Sequence, residues 1–151
     1  MNKETKEPQY KILFDVIEKH GISHLGLMIN ESWNQDPKRT LFTLARYKFV
    51  AKILAGKQSA LEVGCADAFG TRLVQQTVPK VTVIDFDPVF VNDVQSRMNS
   101  HWPLECFVHD MVEGPVDDTF DAVLSLDVLE HIPPEQESVS TCFLHWSRMA
   151  S

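Results

Sequence analysis

From residue 58 onward, short apolar runs alternate with stretches of helical spacing, and this rhythm narrows the possible folds more than any other feature of the chain. "ALEV" (60–63), "VTVIDF" (81–86), "LECFVHD" (104–110) and "FDAVLSLD" (120–127) read as four strands. Residues 71–76 read as a short helix, and "DPVFVNDVQSRM" as a longer one with Asp87 at the N-cap and Pro88 at its first position. "PPEQESVSTCFLHW" predicts a last helix, with Pro134 and Glu135 in its first turn. The β-branched run of the second strand suits burial on both faces. Strand–helix alternation predicts an α/β domain, a parallel sheet with helices on both faces and right-handed crossovers.

Residues 1–57 precede this pattern as a helical segment, so the organisation predicted is 1–57 and 58–151. Residues 1–9 are polar and expected to fray. "YKILFDVIEKHG" carries Ile12, Leu13, Val16 and Ile17 at helical spacing and ends on Gly21. A longer helix starts at Asp36–Pro37 and ends near Gly56, with Leu41, Leu44, Ala45, Phe49 and Ile53 expected to face the core. Trp33, Arg46 and Tyr47 either lid a bound ligand or simply pack.

The 151 residues are 44% hydrophobic, enough for one cored domain. A formal charge of −7 argues against a nucleic-acid surface built on bulk charge. Three cysteines without metal spacing suit a reducing, cytoplasmic setting. No apolar run has the length of a membrane span.

In such sheets, ligands bind at the carboxyl ends of the strands. Those ends carry Glu62, Asp85, Asp110, and Ser125 with Asp127, so four carboxylates are expected around one crevice. A dinucleotide fingerprint would need glycines where "LEVGCADAFG" has Gly64, Ala66 and Phe69, and only the first fits. Acidic strand ends call instead for a ligand without phosphate, rich in hydroxyl donors and preferably cationic. S-adenosylmethionine, with its ribose, ammonium and sulfonium, meets those conditions.

"LEVGCADAFG", "VTVIDFDP", "CFVHDM" and "FDAVLSLDVLEHIP", in that order and spacing, resemble the front half of class I S-adenosylmethionine-dependent methyltransferases. The resemblance implies a Rossmann-like three-layer sandwich with strand order 3-2-1-4, and a cofactor set of Glu62, Gly64, Cys65, Ala66, Asp85, Phe86, Asp110, Met111 and Leu126. By it, Glu62 orders the first turn and the methionine end, and Gly64 lets the backbone pass against the cofactor. Asp85 accepts from the ribose hydroxyls, Asp110 from the adenine amino group, and Met111 turns its backbone N–H toward the ring. Leu126, or Ser125 beside it, offers a carbonyl to the ammonium. Ala66 and Ala68 depart from the pattern, which usually has glycine there.

The implied reaction is methyl transfer, with O-methylation of a small molecule or sugar expected. The other class that fits is a non-catalytic module binding S-adenosylmethionine or a nucleotide, or an inactive fragment. His131 is the candidate general base. Asp127, Glu130 and His131 form D-x-x-E-H, similar to a metal cluster of some O-methyltransferases, and no bound metal is expected. The strand count reaches four of the usual seven, so this stretch reads as truncated, with weak or absent catalysis alone. The fourth strand is then an apolar edge through which a homodimer can form.

Overall fold

The structure, a computed structural model, describes residues 5–132. Three helices come first: α1 (Lys11–His20), α2 (Leu27–Gln35) and α3 (Pro37–Ile53). Then β1 (Ser59–Val63), α4 (Thr71–Val74), β2 (Lys80–Asp85), α5 (Pro88–Arg97), β3 (Glu105–Val108) and β4 (Ala122–Ser125) follow. The four strands form one parallel sheet in the order β3-β2-β1-β4. That is the predicted Rossmann-like order. The final helix expected at 133–146 lies outside the described residues.

Local chemistry explains the element boundaries. The Asp36 carboxylate accepts from Lys38 N at 3.2 Å and opens α3, with Pro37 at its first position. Asp87 does the same for α5, accepting from Val89 N at 2.8 Å. Gly21, at φ +77°, closes α1 by donating to the Ile17 carbonyl. At the foot of the sheet, Asp121 accepts from the backbone of Gln58 and Ser59 at 2.7 and 3.2 Å, and its own N–H donates to Ser59 Oγ. These contacts pin the β1–β4 register, in which Ala60 stands opposite Ala122.

The core follows strand position. Ala60, Leu61 and Glu62 of β1 are buried, as is β2 from Val81 to Asp85, because both strands have neighbours on each side and matter over each face. In β4, Ala122 and Leu124 are buried while Val123 is exposed, the alternation of a strand at the end of a sheet. Each fully buried Val or Ile of β2 contributes about 1.5–3 kcal/mol. Helix α3 packs on α4, and α5 packs on β2 and β3.

Helix α3 corrects the expected core face. Leu41, Phe49 and Ile53 are 67%, 65% and 60% exposed, Ala45 is exposed and Leu44 half-buried. Thr40, Tyr47, Ala51 and Leu54 turn inward instead. Their spacing of seven, four and three residues is just as helical. The rotation is chosen by a polar contact, since the Tyr47 hydroxyl donates to buried Glu62. Leaving that carboxyl without a donor costs more than exposing a few side chains.

Candidate active site

The turn after β1 starts at Gly64, whose φ of +71° suits glycine. Ala66 and Ala68 also have positive φ, +47° and +49°, so both hold the left-handed conformation that alanine adopts at a cost. Two carboxylates hold this turn. Asp85, at the end of β2, accepts from Ala66 N at 2.8 Å and from Asp87 N at 3.0 Å. Asp67 is buried, accepting from Ile29 N at 2.8 Å and Phe69 N at 3.2 Å, while its carbonyl accepts from the Arg97 guanidinium at 2.6 Å. Asp67 thus ties the turn to α2 and α5. Its acidity serves the backbone N–H groups of an exceptionally tight turn.

Since Ala66 is only partly buried, Ala66→Gly should relieve strain with little loss of packing. The expected gain is about 1 kcal/mol in urea unfolding. A variant no more stable than the parent would show that this alanine is not strained.

Glu62 is fully buried and lines neither described cavity. Its two oxygens accept from Tyr47 Oη and Thr71 Oγ1, both at 2.5 Å. Burial pushes its carboxyl up to about 7, against the lowering effect of the Thr71 and Tyr47 bonds, and the Asp67 charge adds to the rise. Burial and the Glu62 charge push the Tyr47 phenol well above its ordinary range, so it stays a donor. Gly70 packs against the Tyr47 ring, where an added methyl would collide with ring carbons. The acid after which the strand is read therefore joins α3, β1 and α4.

Each of the four strand-end acids meets its own donor. Asp110 accepts from Val112 N at 2.8 Å. Asp127, at φ +57°, pairs with Arg46 at 2.7 Å, and both side chains are about half exposed. Among the described residues, no group of three or more His, Cys, Asp and Glu is placed to hold a metal ion. His131 is exposed, on a single 3-10 turn, and lines neither cavity. Ser125 Oγ donates to the Val63 carbonyl at 3.1 Å, tying the ends of β4 and β1 together.

The other predicted residues lie around this turn. Phe86 is 70% exposed beside Asp85 at the end of β2. Met111 is half-buried beyond β3. Cys65 is buried; the bond it shares with the Cys106 thiol, then burial, raises its own thiol, so it stays protonated. Gly64, Cys65, Ala66 and Leu126 line a cavity of about 810 Å³ that α2 and α3 wall with Met28, Phe42, Arg46 and Phe49. Helix α2, Asp67 and the Arg46–Asp127 pair escaped the sequence reading. "LMINESWNQ" shows little apolar rhythm, and 81 residues separate Arg46 from Asp127.

A Rossmann-like sheet in this order, with a tight turn after β1 and acids at the ends of β2 and β3, is the arrangement expected of class I S-adenosylmethionine-dependent methyltransferases. The chain belongs to them: residues 61–150 match a family described as a methyltransferase domain. It is 30% identical over 99 residues to a Mycolicibacterium smegmatis protein described as "Probable S-adenosylmethionine-dependent methyltransferase", the match covering 64% of this chain and 37% of that one. The fold is similar to Streptomyces venezuelae DesVI (TM-score 0.58, 14% identity, 70% of this chain and 45% of that). It is also similar to the N-methyltransferase NodS of Bradyrhizobium japonicum bound to S-adenosylhomocysteine (0.54, 19%, 72% and 56%). The chain thus spans between about a third and a little over half of the length of these three proteins.

The cofactor is S-adenosylmethionine, and the site's chemistry fits it. One hydrogen bond per oxygen leaves Asp85 a second acceptor position on each. No described helix is long and apolar enough to cross a membrane.

Proposed function

We propose that the chain seats S-adenosylmethionine over the carboxyl ends of β1, β2 and β3 and presents its methyl to a hydroxyl of a small molecule or sugar. The observation that carries this reading is the cavity of about 810 Å³ that opens onto Gly64, Cys65, Ala66 and Leu126. Its size and its apolar walls with few polar groups are those of a small-molecule site. When bound, the cofactor supplies an electrophilic methyl group.

The chain's own residues orient and exclude water. In this reading Asp85 accepts from the ribose hydroxyls, exposed Phe86 gives the adenine a flat apolar face, and Asp110 and Met111 meet its edge. Glu62 acts at one remove, by holding α3 and α4 around the turn. Leu126 offers its carbonyl to the ammonium. Phe42 and Phe49 then wall the acceptor, and Arg46, paired with Asp127, borders it. We propose His131 as the acceptor of the proton that the hydroxyl gives up, a role its exposed ring fills only on approach to a seated acceptor.

Transfer of labelled methyl from the cofactor to a panel of sugars and amino sugars tests this reading. Label on hydroxyl products supports it, and label on amines alone replaces O-methylation by N-methylation. Cofactor binding with no labelled product selects the second reading, a cofactor-binding module. A cytoplasmic setting, supported by the free Cys65 and Cys106, and a homodimer along the β4 end, where Val123 is 38% exposed, belong to the same proposal. Size-exclusion chromatography tests the dimer.

A further inference from the structure

A second cavity, of about 430 Å³, lies between α4, α5 and the chain at 98–104, and shares only Asp67 with the larger one. Arg72, Arg97 and His24 line it together with Trp102, Gln75 and Asn99. The Arg72 Cζ lies over the Trp102 ring. Trp102 is itself held edge-on by His101, which stacks on His20 with ring centres 4.2 Å apart. The guanidinium is therefore packed against a side chain that itself has aromatic neighbours. Yet its Nη1 is buried with no hydrogen-bond partner among the described residues.

That is an unusual expense for a fold, since a buried donor left unpaired costs about 1–3 kcal/mol, more when it is charged. The neighbouring charges do not answer it. Arg97 is taken by Asp93, at 2.7 Å, and by the Asp67 carbonyl. Asp67, the one acid lining the cavity, accepts from Ile29 N and Phe69 N, one on each oxygen, and does not partner Arg72 Nη1. The lining therefore carries two guanidiniums against one engaged carboxylate.

We infer that this cavity binds the oxyanion of a small molecule, a phosphate or a carboxylate, on the Arg72 guanidinium. A guanidinium over an aromatic ring keeps its planar fork of N–H donors, which matches two oxygens of either anion. The cavity has room for more than the anion, since a water occupies only about 30 Å³. Gln75, whose amide N–H donates to the Pro103 carbonyl, keeps its amide oxygen for a hydroxylated body. The site is independent of the methyl-transfer reading.

Titration of the ¹⁵N-labelled 151-residue chain with inorganic phosphate and, separately, with acetate tests it, using chloride at equal ionic strength as reference. The Trp102 indole N–H and the Arg72 Nε–H are the resonances to follow. The expected result is saturable movement of both, with Kd of about 1 mM or tighter for at least one anion. Saturation by phosphate alone assigns a phosphate ligand, and by acetate alone a carboxylate. Arg72→Gln should weaken binding at least tenfold. Gln75→Glu, which places a carboxylate beside the guanidinium, should abolish it, and decides the matter if Arg72→Gln does not fold. Two results would overturn the inference: no saturable movement with either anion, or equal midpoints in the parent and both variants, the mark of an adventitious ion only.

Discussion

Stability should fall as the pH rises from about 4.5 to about 7, opposite to the usual behaviour of a protein rich in paired carboxylates. Glu62 is the cause. In the unfolded chain its carboxyl ionises near 4.5, whereas the folded chain holds the proton up to about 7. Between these values the unfolded state binds fewer protons, so each step up in pH favours unfolding. The contribution is fully present below the lower value, and lost as the pH passes through the upper one. A shift of that size corresponds to about 3 kcal/mol, a large part of the 5–15 kcal/mol that hold an ordinary domain together. Two groups act in the other direction: exposed Asp118, whose pKa is lowered by the Thr119 N–H and Lys80, below this window, and His20, lowered by desolvation and by His101 and Lys19, within it. Urea unfolding at pH 5 and pH 7.5 should therefore give the lower midpoint at pH 7.5. Glu62→Gln, which stays neutral throughout, should flatten the profile. Midpoints that are equal at the two pH values, or a slope that survives in Glu62→Gln, would remove Glu62 from this role.

Asp85→Ala should weaken S-adenosylhomocysteine binding by about 1.5–3 kcal/mol, at least tenfold. Two losses add in this variant. The proposed acceptor of the ribose hydroxyls disappears, and Ala66 N and Asp87 N lose the carboxylate that positions the turn. Asp85→Asn separates the two, because one amide oxygen still accepts from a backbone N–H while the negative charge on the ribose side is gone. Its affinity should lie between those of the parent and the alanine variant, with stability closer to the parent. Unchanged affinity in a folded Asp85→Ala chain would show that Asp85 serves the turn alone.

These two carboxylates show how far the sequence could be read and where it stopped. The β-branched run of β2 and the N-cap pairs Asp36–Pro37 and Asp87–Pro88 were legible because local chemistry determines them, and the strand order because the motifs resemble those of a known family. The rotation of α3 was not. Its two faces have comparable apolar spacing, and the choice between them rests on the Tyr47 hydroxyl meeting Glu62, fifteen residues on. The strand-end acids were legible as a set but not as individuals: Glu62 turns to α3 and α4, and Asp127 to Arg46. Such partners lie on other elements and leave no periodic trace. Ala66 and Ala68 were visible as departures from a glycine pattern, and their positive φ gives that departure its physical content.

Calorimetric titration of the 151-residue chain with S-adenosylhomocysteine and with NAD tests the central claim most directly. A tight turn held by Asp85 and Asp67, with Ala66 and Phe69 where a dinucleotide site would need glycines, calls for a ligand with hydroxyls and no diphosphate. The predicted result is one saturable site for S-adenosylhomocysteine, at least tenfold tighter than any heat signal from NAD. Equal or tighter binding of NAD, or a folded chain that takes up no S-adenosylhomocysteine, would contradict it.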